Sequence, residues 1–454
     1  MNTVLGFLLT LGVLIVVHEY GHYRVARWCG VQVLRFSVGF GRVIWRRQSA
    51  PGATEFTVSA VPLGGYVRML DSREGPIPPG HEGQAFDLQP LRRRVAIVAA
   101  GPLANLGLAV LLYAAAHWVG LQEPLAVLSS PPARTLAVDA GLAAGDWVQA
   151  VAAPAGDWRD IASMNDLRWE ATQAVLHGED LLLQVADSGG AHRRTVTLPL
   201  SALAGQDVDA AAFQRIGLGA PYREPVLARV APGGPADKAG LRMGDRVLAV
   251  DDRPVADAQM LLDLIRARAA AGLPPMQWSV ERGGQRLQLE VASRPVEEGG
   301  KTLGRIDAYI GEAPRMTTVR LGPLDGLARG AQRTWEMAGL SLKMLGRMLV
   351  GQASLRNLSG PLTIADYAGQ SVQQGLAPYL NFLAMVSVSL GVLNLLPLPM
   401  LDGGHLMYYL FEGVTGRPVS DLWLKWLQRS GAFVLLLMMT IALSNDVARL
   451  LGLQ

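Results

Sequence analysis

Residues 4 to 22 read VLGFLLTLGVLIVVHEYGH, an apolar run that ends in two histidines and a glutamate. On a helix, positions i and i+4 share a face, so His18 and His22 can bind one metal while Glu19 reaches the water that the metal binds. Ionisable groups at the end of an apolar helix are costly in lipid and usually mark function. The run has no basic start and no small-residue cleavage site, so it reads as a retained first membrane helix and not as a cleaved signal.

Three more apolar stretches follow, at 95 to 119, 382 to 400 and 432 to 443, which makes four expected spans. The chain of 454 residues is 50% hydrophobic and only 17% charged, against roughly 25% charge in soluble domains, which excludes disorder and an ordinary soluble enzyme. A net charge of +3 with no contiguous basic block argues against nucleic-acid binding, and the single Cys29 cannot form an internal disulfide. Between the first two spans, Arg24 to Arg94 carries eleven arginines against five acidic residues. That bias places this loop in the cytoplasm, and the N-terminus, residues 121 to 320 and the C-terminus on the far side.

The far-side segment contains an internal repeat: AGLAAGDWVQAV at 140 to 151 and AGLRMGDRVLAV at 239 to 250, 99 residues apart. Such spacing is one small domain duplicated, over 121–220 and 221–312. In each copy Ala-Gly-Leu ends a short helix and Gly-Asp turns the chain into a strand. The motif resembles the PDZ domain, which implies two tandem β-sandwiches, each with a groove that takes a peptide as an added strand. Next, 320–375 interleaves Trp335, Met337 and Leu340 with Arg329, Arg333 and Lys343, which suits amphipathic helices on the bilayer surface or a soluble helix packed on the second copy.

A third metal ligand is available about 380 residues after His22, in NLLPLPMLDGGH at 394 to 405. Asp402 follows two prolines that break the helix and precedes two glycines that permit close backbone approach. Catalytic zinc takes three protein ligands and one open position, a set that His18, His22 and Asp402 supply; His405 as a fourth would close the site. Both runs travel inward from the far face, so both motifs fall in the cytoplasmic third of the bilayer and can meet.

HEYGH on a first membrane helix, NxxPxPxLDGGH on a later one, and tandem PDZ-like copies between them resemble the site-2 protease family of intramembrane zinc metalloproteases. VRMLD (67 to 71), AAGPLANL (99 to 106) and NLSGPL (357 to 362) extend the likeness over almost the whole chain. The resemblance implies a mostly α-helical polytopic membrane protein: two transmembrane helices with a membrane-reentrant β-element in 1–120, the PDZ-like domains, then two more transmembrane helices in 376–454. It implies Zn2+ held by His18, His22 and Asp402, with Glu19 as general base. Asn394 would hold the substrate strand or the developing oxyanion. Gly64, Gly65 and Tyr66 would lie on the strand edge that pairs with substrate. Substrates would be transmembrane segments of single-pass proteins in a bacterial inner membrane, such as an anti-sigma factor already trimmed by an upstream site-1-type protease, and remnant signal peptides. The copies would be periplasmic and the active site would face the cytoplasm.

Two other classes fit parts of the same pattern. A membrane metal transporter would use His18, His22 and Asp402 as transit ligands, and a noncatalytic scaffold would use only the PDZ-like copies.

Overall fold

The computed structural model describes residues 2–450 apart from 51, 188, 205–212, 214, 269–272, 299–300 and 351–359. The chain divides into two compact units, residues 1–121 with 320–454, and residues 122–319.

The first unit opens with α1 (Asn2–Trp28), which runs unbroken through the HExxH residues and stops before Gly30, where φ is +80°. Two long strands follow, β1 (Val33–Arg47) and β2 (Glu55–Met69). They curl into a ladder in which residues 33–38 pair on one side with 65–69 and on the other with 55–58. Gly39, at φ +88°, permits the bend, because a Cβ there would sit 2.8 Å from the Val61 carbonyl oxygen. Then comes α2 (Leu91–Val119), whose buried face is rich in small residues, among them Ala100, Gly101 and Ala109. A side chain at Gly21 would collide with the Ala100 carbonyl, so α1 and α2 cross at backbone contact, as small residues allow in apolar helices.

The second unit repeats one arrangement. In the first copy β3 (Trp147–Ala152), β4 (Arg159–Asp160), β5 (Leu181–Ala186) and β6 (Arg194–Leu198) form a sheet of order β4-β3-β5-β6 beside α3 (Met164–His177). Ser163 caps α3 by accepting from Asp166 N–H at 3.1 Å, and Gly178 ends it at φ 70°. In the second copy β7 (Leu227–Val230) precedes β8 (Arg246–Val250), β9 (Arg253–Pro254), α4 (Ala258–Ala267), β10 (Met276–Arg282) and β11 (Gln285–Val291). Its sheet has the same order, β9-β8-β10-β11, and Asp257 caps α4.

Hydrogen bonds repeat at the 99-residue offset. Leu128 N–H donates to Asp146 O at 2.8 Å and Leu227 N–H to Asp245 O at 2.9 Å; Val148 N–H donates to Ala126 O and Val247 N–H to Pro225 O. Each copy has its own core, around Leu167, Leu183 and Leu198 in the first and Leu261, Trp278 and Val280 in the second. A hairpin of β12 (Arg294–Glu298) and β13 (Lys301–Arg305) and the strand β14 (Ala308–Ile310), paired with β7, complete the second copy.

The chain then re-enters the first unit through α5 (Pro323–Leu349). This helix docks on α2: side chains at Gly326 and Gly330 would collide with the Trp118 ring and the Val110 carbonyl. Met337 and Ala338 pack against the buried cluster that includes Ala109 and Tyr113 of α2, and Leu324 and Trp335 stay exposed at 81% and 82%. Its docking face therefore meets an apolar helix of the first unit. After α6 (Pro361–Gln374) come α7 (Leu376–Leu395), α8 (Asp402–Thr415) and α9 (Asp421–Leu450). Asp446 of α9 caps α6 by accepting from the Gly360, Leu362 and Thr363 amides at 2.9 to 3.1 Å.

The run read from sequence as 382 to 400 is shifted and broken. The helix starts at Leu376 and ends at Leu395, because Pro397 and Pro399 hold the preceding residues extended, with Leu396 at ψ 145°. Four helices, Leu5–Trp28, Leu91–Val119, Leu376–Leu395 and Leu422–Val447, are long and apolar enough to cross a membrane.

Candidate metal centre

α1 presents His18 and His22 one turn apart, with ring centroids 4.9 Å apart and planes at 85°. α8 begins at Asp402, and its first turn is pressed close: side chains at Gly403 and Gly404 would collide with the Leu396 and Leu398 carbonyls. That packing brings the Asp402 carboxylate to the histidines. Asp402 Oδ2 lies 3.2 Å from His18 Nε2 and 3.6 Å from His22 Nε2, and the two Nε2 atoms are 3.3 Å apart. Zinc bonds of about 2.0–2.2 Å in a tetrahedral site set donor atoms ~3.3–3.6 Å apart, so these three edges fit one metal with a fourth corner free. Among the described residues this is the one group of three His, Cys, Asp or Glu side chains that could hold a metal.

The donor nitrogens are fixed by what the other ring atoms touch. His22 Nδ1 is 2.8 Å from the Ile97 carbonyl, which can only accept, so Nδ1 carries a proton and, in the neutral ring, Nε2 is left bare to bind a metal. His22 reaches that position because α2 has Gly101 opposite; a Cβ there would strike the imidazole. His18 Nδ1 faces the Asn105 side chain, Nδ2 at 3.3 Å.

Glu19 is half-buried beside His18, against the second half of β2: a Cβ at Gly65 would be 2.9 Å from Glu19 Cγ. Gly65 pairs with Val38 and Tyr66 with Ser37, on the outer edge of the ladder. Gly64, at φ +124°, packs against the Phe40 ring, which also stacks on Tyr66 at 6.2 Å. Asn394 is half-buried in the last turn of α7, before the proline break that leads to Asp402. His405 turns its ring toward Tyr408, 5.9 Å away, and is not a member of the three-residue group.

Gly101 and Asn105 both lie in the AAGPLANL stretch, where the sequence alone points to no role for either. An amide inside an apolar span was the available signal for Asn105. Nothing local marked Gly101, because its importance is the ring that fills the space above it.

The model of peptidase family M50 matches residues 6–438. A candidate zinc metalloprotease of Ralstonia nicotianae is 43% identical over 463 residues, covering 99% of each chain. One from Neisseria meningitidis is 40% identical and covers all of both chains. The regulator of sigma-E protease RseP of Escherichia coli is 36% identical over 98% of each. Among solved structures, the PDZ domain of an SdrC-like protein from Listeria monocytogenes overlaps 20% of this chain and 92% of its own, at 16% identity and a TM-score of 0.17.

Proposed function

The chain belongs to peptidase family M50, and from that premise we propose that His18, His22 and Asp402 hold its zinc and that Glu19 is the general base. It is an intramembrane zinc metalloprotease; the transporter and scaffold readings have no support. The observation that carries the site assignment is the meeting of two histidines of α1 with the carboxylate of α8 at tetrahedral spacing, next to Glu19.

When bound there, zinc polarises the scissile carbonyl and acidifies water. The Glu19 carboxylate takes the proton of the attacking water on one oxygen and delivers it to the leaving amine. Its neighbour, the outer strand edge at Gly64, Gly65 and Tyr66, offers its backbone to a substrate segment. A transmembrane helix shields its peptide bonds, so the segment must unwind, and pairing with this edge satisfies groups that lipid cannot. Asn394 contributes an amide to that strand or to the oxyanion.

The outer part of the ladder exposes Phe40, Ile44, Trp45 and Val61 alongside Arg42, Arg46 and Arg47, as a reentrant element lodged at the membrane surface requires. The two copies in 122–319 are PDZ-like domains on the periplasmic side of a bacterial inner membrane, and they reject substrates that an upstream protease has not trimmed. Substrates are single-pass proteins cut near their cytoplasmic side, an anti-sigma factor or a remnant signal peptide among them. Cleavage of a tagged single-span substrate by wild type and Glu19→Gln at matched zinc content tests the assignment. Loss of cleavage by about 10²–10⁴-fold with zinc retained supports Glu19 as base, and equal cleavage removes it.

A further inference from the structure

The two histidines are supported differently. His22 Nδ1–H donates to a backbone carbonyl, but His18 Nδ1 faces a side-chain amide, Asn105 Nδ2 at 3.3 Å. Asn105 is 1% exposed, within the apolar span Leu91–Val119, and its Oδ1 is buried without a hydrogen-bond partner. A primary amide is expensive there, and an unpaired oxygen adds to the cost. The turn that carries it is anchored from the other side, where Ser387 Oγ–H of α7 donates to the Asn105 carbonyl at 2.7 Å.

His18 has two neutral tautomers. With the proton on Nε2, that nitrogen donates to Asp402 Oδ2, 3.2 Å away, and Nδ1 accepts from the amide N–H, which suits the placement of Asn105 Nδ2 toward the ring. With Nε2 bare, as a metal ligand must be, Nδ1 carries the proton and needs an acceptor. The amide supplies one by a half-turn, because its oxygen and nitrogen ends have nearly the same shape. The oxygen unpaired in one orientation is the acceptor in the other.

We infer that Asn105 is a positioning residue for His18: its Oδ1 accepts from His18 Nδ1–H and holds Nε2 toward the metal, as the Ile97 carbonyl does for His22. Both partners come from α2, which makes that helix the outer support of the zinc site. The inference rests on the assignment of His18, His22 and Asp402 as ligands.

The test is zinc affinity, measured by competition with a chromophoric chelator on the purified full-length chain in detergent. Asn105→Leu, of similar volume and without an acceptor, should weaken zinc by about 10–100-fold, the usual effect of losing such a partner. Asn105→Asp keeps an acceptor in the same shape and should stay within about threefold of wild type. Wild-type affinity in Asn105→Leu overturns the inference; equal weakening in both variants does so as well, since the side chain would then act by packing alone. If Asn105→Leu does not fold, Asn105→Ala is read against the same thresholds. His22→Ala serves as the control: zinc retained there sinks the ligand assignment itself, an outcome separate from the Asn105 arms.

Discussion

The metal centre and the repeated AGLxxGD turns are held by different means. Around the metal centre the tightest contacts are backbone against backbone or ring against glycine: Gly21 on Ala100, Gly101 under His22, Gly403 on Leu396. In the duplicated unit the same task is done twice with different residues. The Asp of each AGLxxGD motif accepts a backbone N–H three residues earlier, Ala143 to Asp146 and Arg242 to Asp245, both at 2.8 Å. An arginine then bridges that carboxylate and a glycine carbonyl. It is Arg194 of β6 in the first copy, on Asp146 and Gly141, and Arg282 of β10 in the second, on Asp245 and Gly240. One geometry is reached from two strands, so a long flexible side chain is replaceable where a missing Cβ is not.

If that contrast is right, the largest losses follow from changes in the metal unit. Asp402→Ala should abolish cleavage and weaken zinc by at least about 100-fold, measured by metal content after dialysis against chelator; a catalytic site with two remaining ligands does not hold zinc tightly. Gly101→Ala, ordinarily a mild change, should weaken zinc by at least about tenfold and reduce cleavage in proportion, because the His22 ring must move. Wild-type zinc affinity in Gly101→Ala would break the comparison at its firmest point.

Smaller effects belong to the duplicated unit. Asp245→Ala should destabilise it by about 2–3 kcal/mol in denaturant unfolding, leaving Arg282 and the Arg242 amide without their acceptor. Asp146→Ala should cost somewhat less, because Arg194 makes a single contact with its carboxylate where Arg282 makes two. Zinc affinity should not change in either.

The smallest effect is in pH. Burial alone would raise the Asp245 carboxyl, but hydrogen bonds from Arg282 and the Arg242 amide outweigh it and hold the group below the usual carboxylate range. A depressed carboxyl contributes stability that is present above its unfolded pKa and lost as pH falls through the folded one. Unfolding of this unit should therefore become easier below about pH 4, and Asp245→Asn should flatten that slope. An unchanged acid limb would remove Asp245 as its cause.

Much of this was legible beforehand, and the limits are instructive. HEYGH on an apolar helix fixed the relation of His18, Glu19 and His22, since i and i+4 on one helix cannot avoid each other. The 99-residue repeat implies a duplicated small domain but says nothing of strand order, which the structure gives as the same in the two four-stranded sheets. The break before Asp402 followed from Pro397 and Pro399, although the helix ahead of it begins earlier than hydropathy placed it.

What the sequence determined by itself was therefore local: which residues share a helix face, where chains turn, and which segments repeat. Tertiary structure decided the rest. That Asp402 meets His18 and His22 depends on α8 packing against the proline loop. That Gly65 lies beside Glu19 depends on how β1 and β2 curl. That Ile97 and Asn105 face the two imidazoles depends on α1 and α2 touching at Gly21 and Ala100. Spacing along a chain constrains neighbours within a turn or a hairpin, whereas the contacts that assemble this site from distant segments depend on small residues that let the backbones approach.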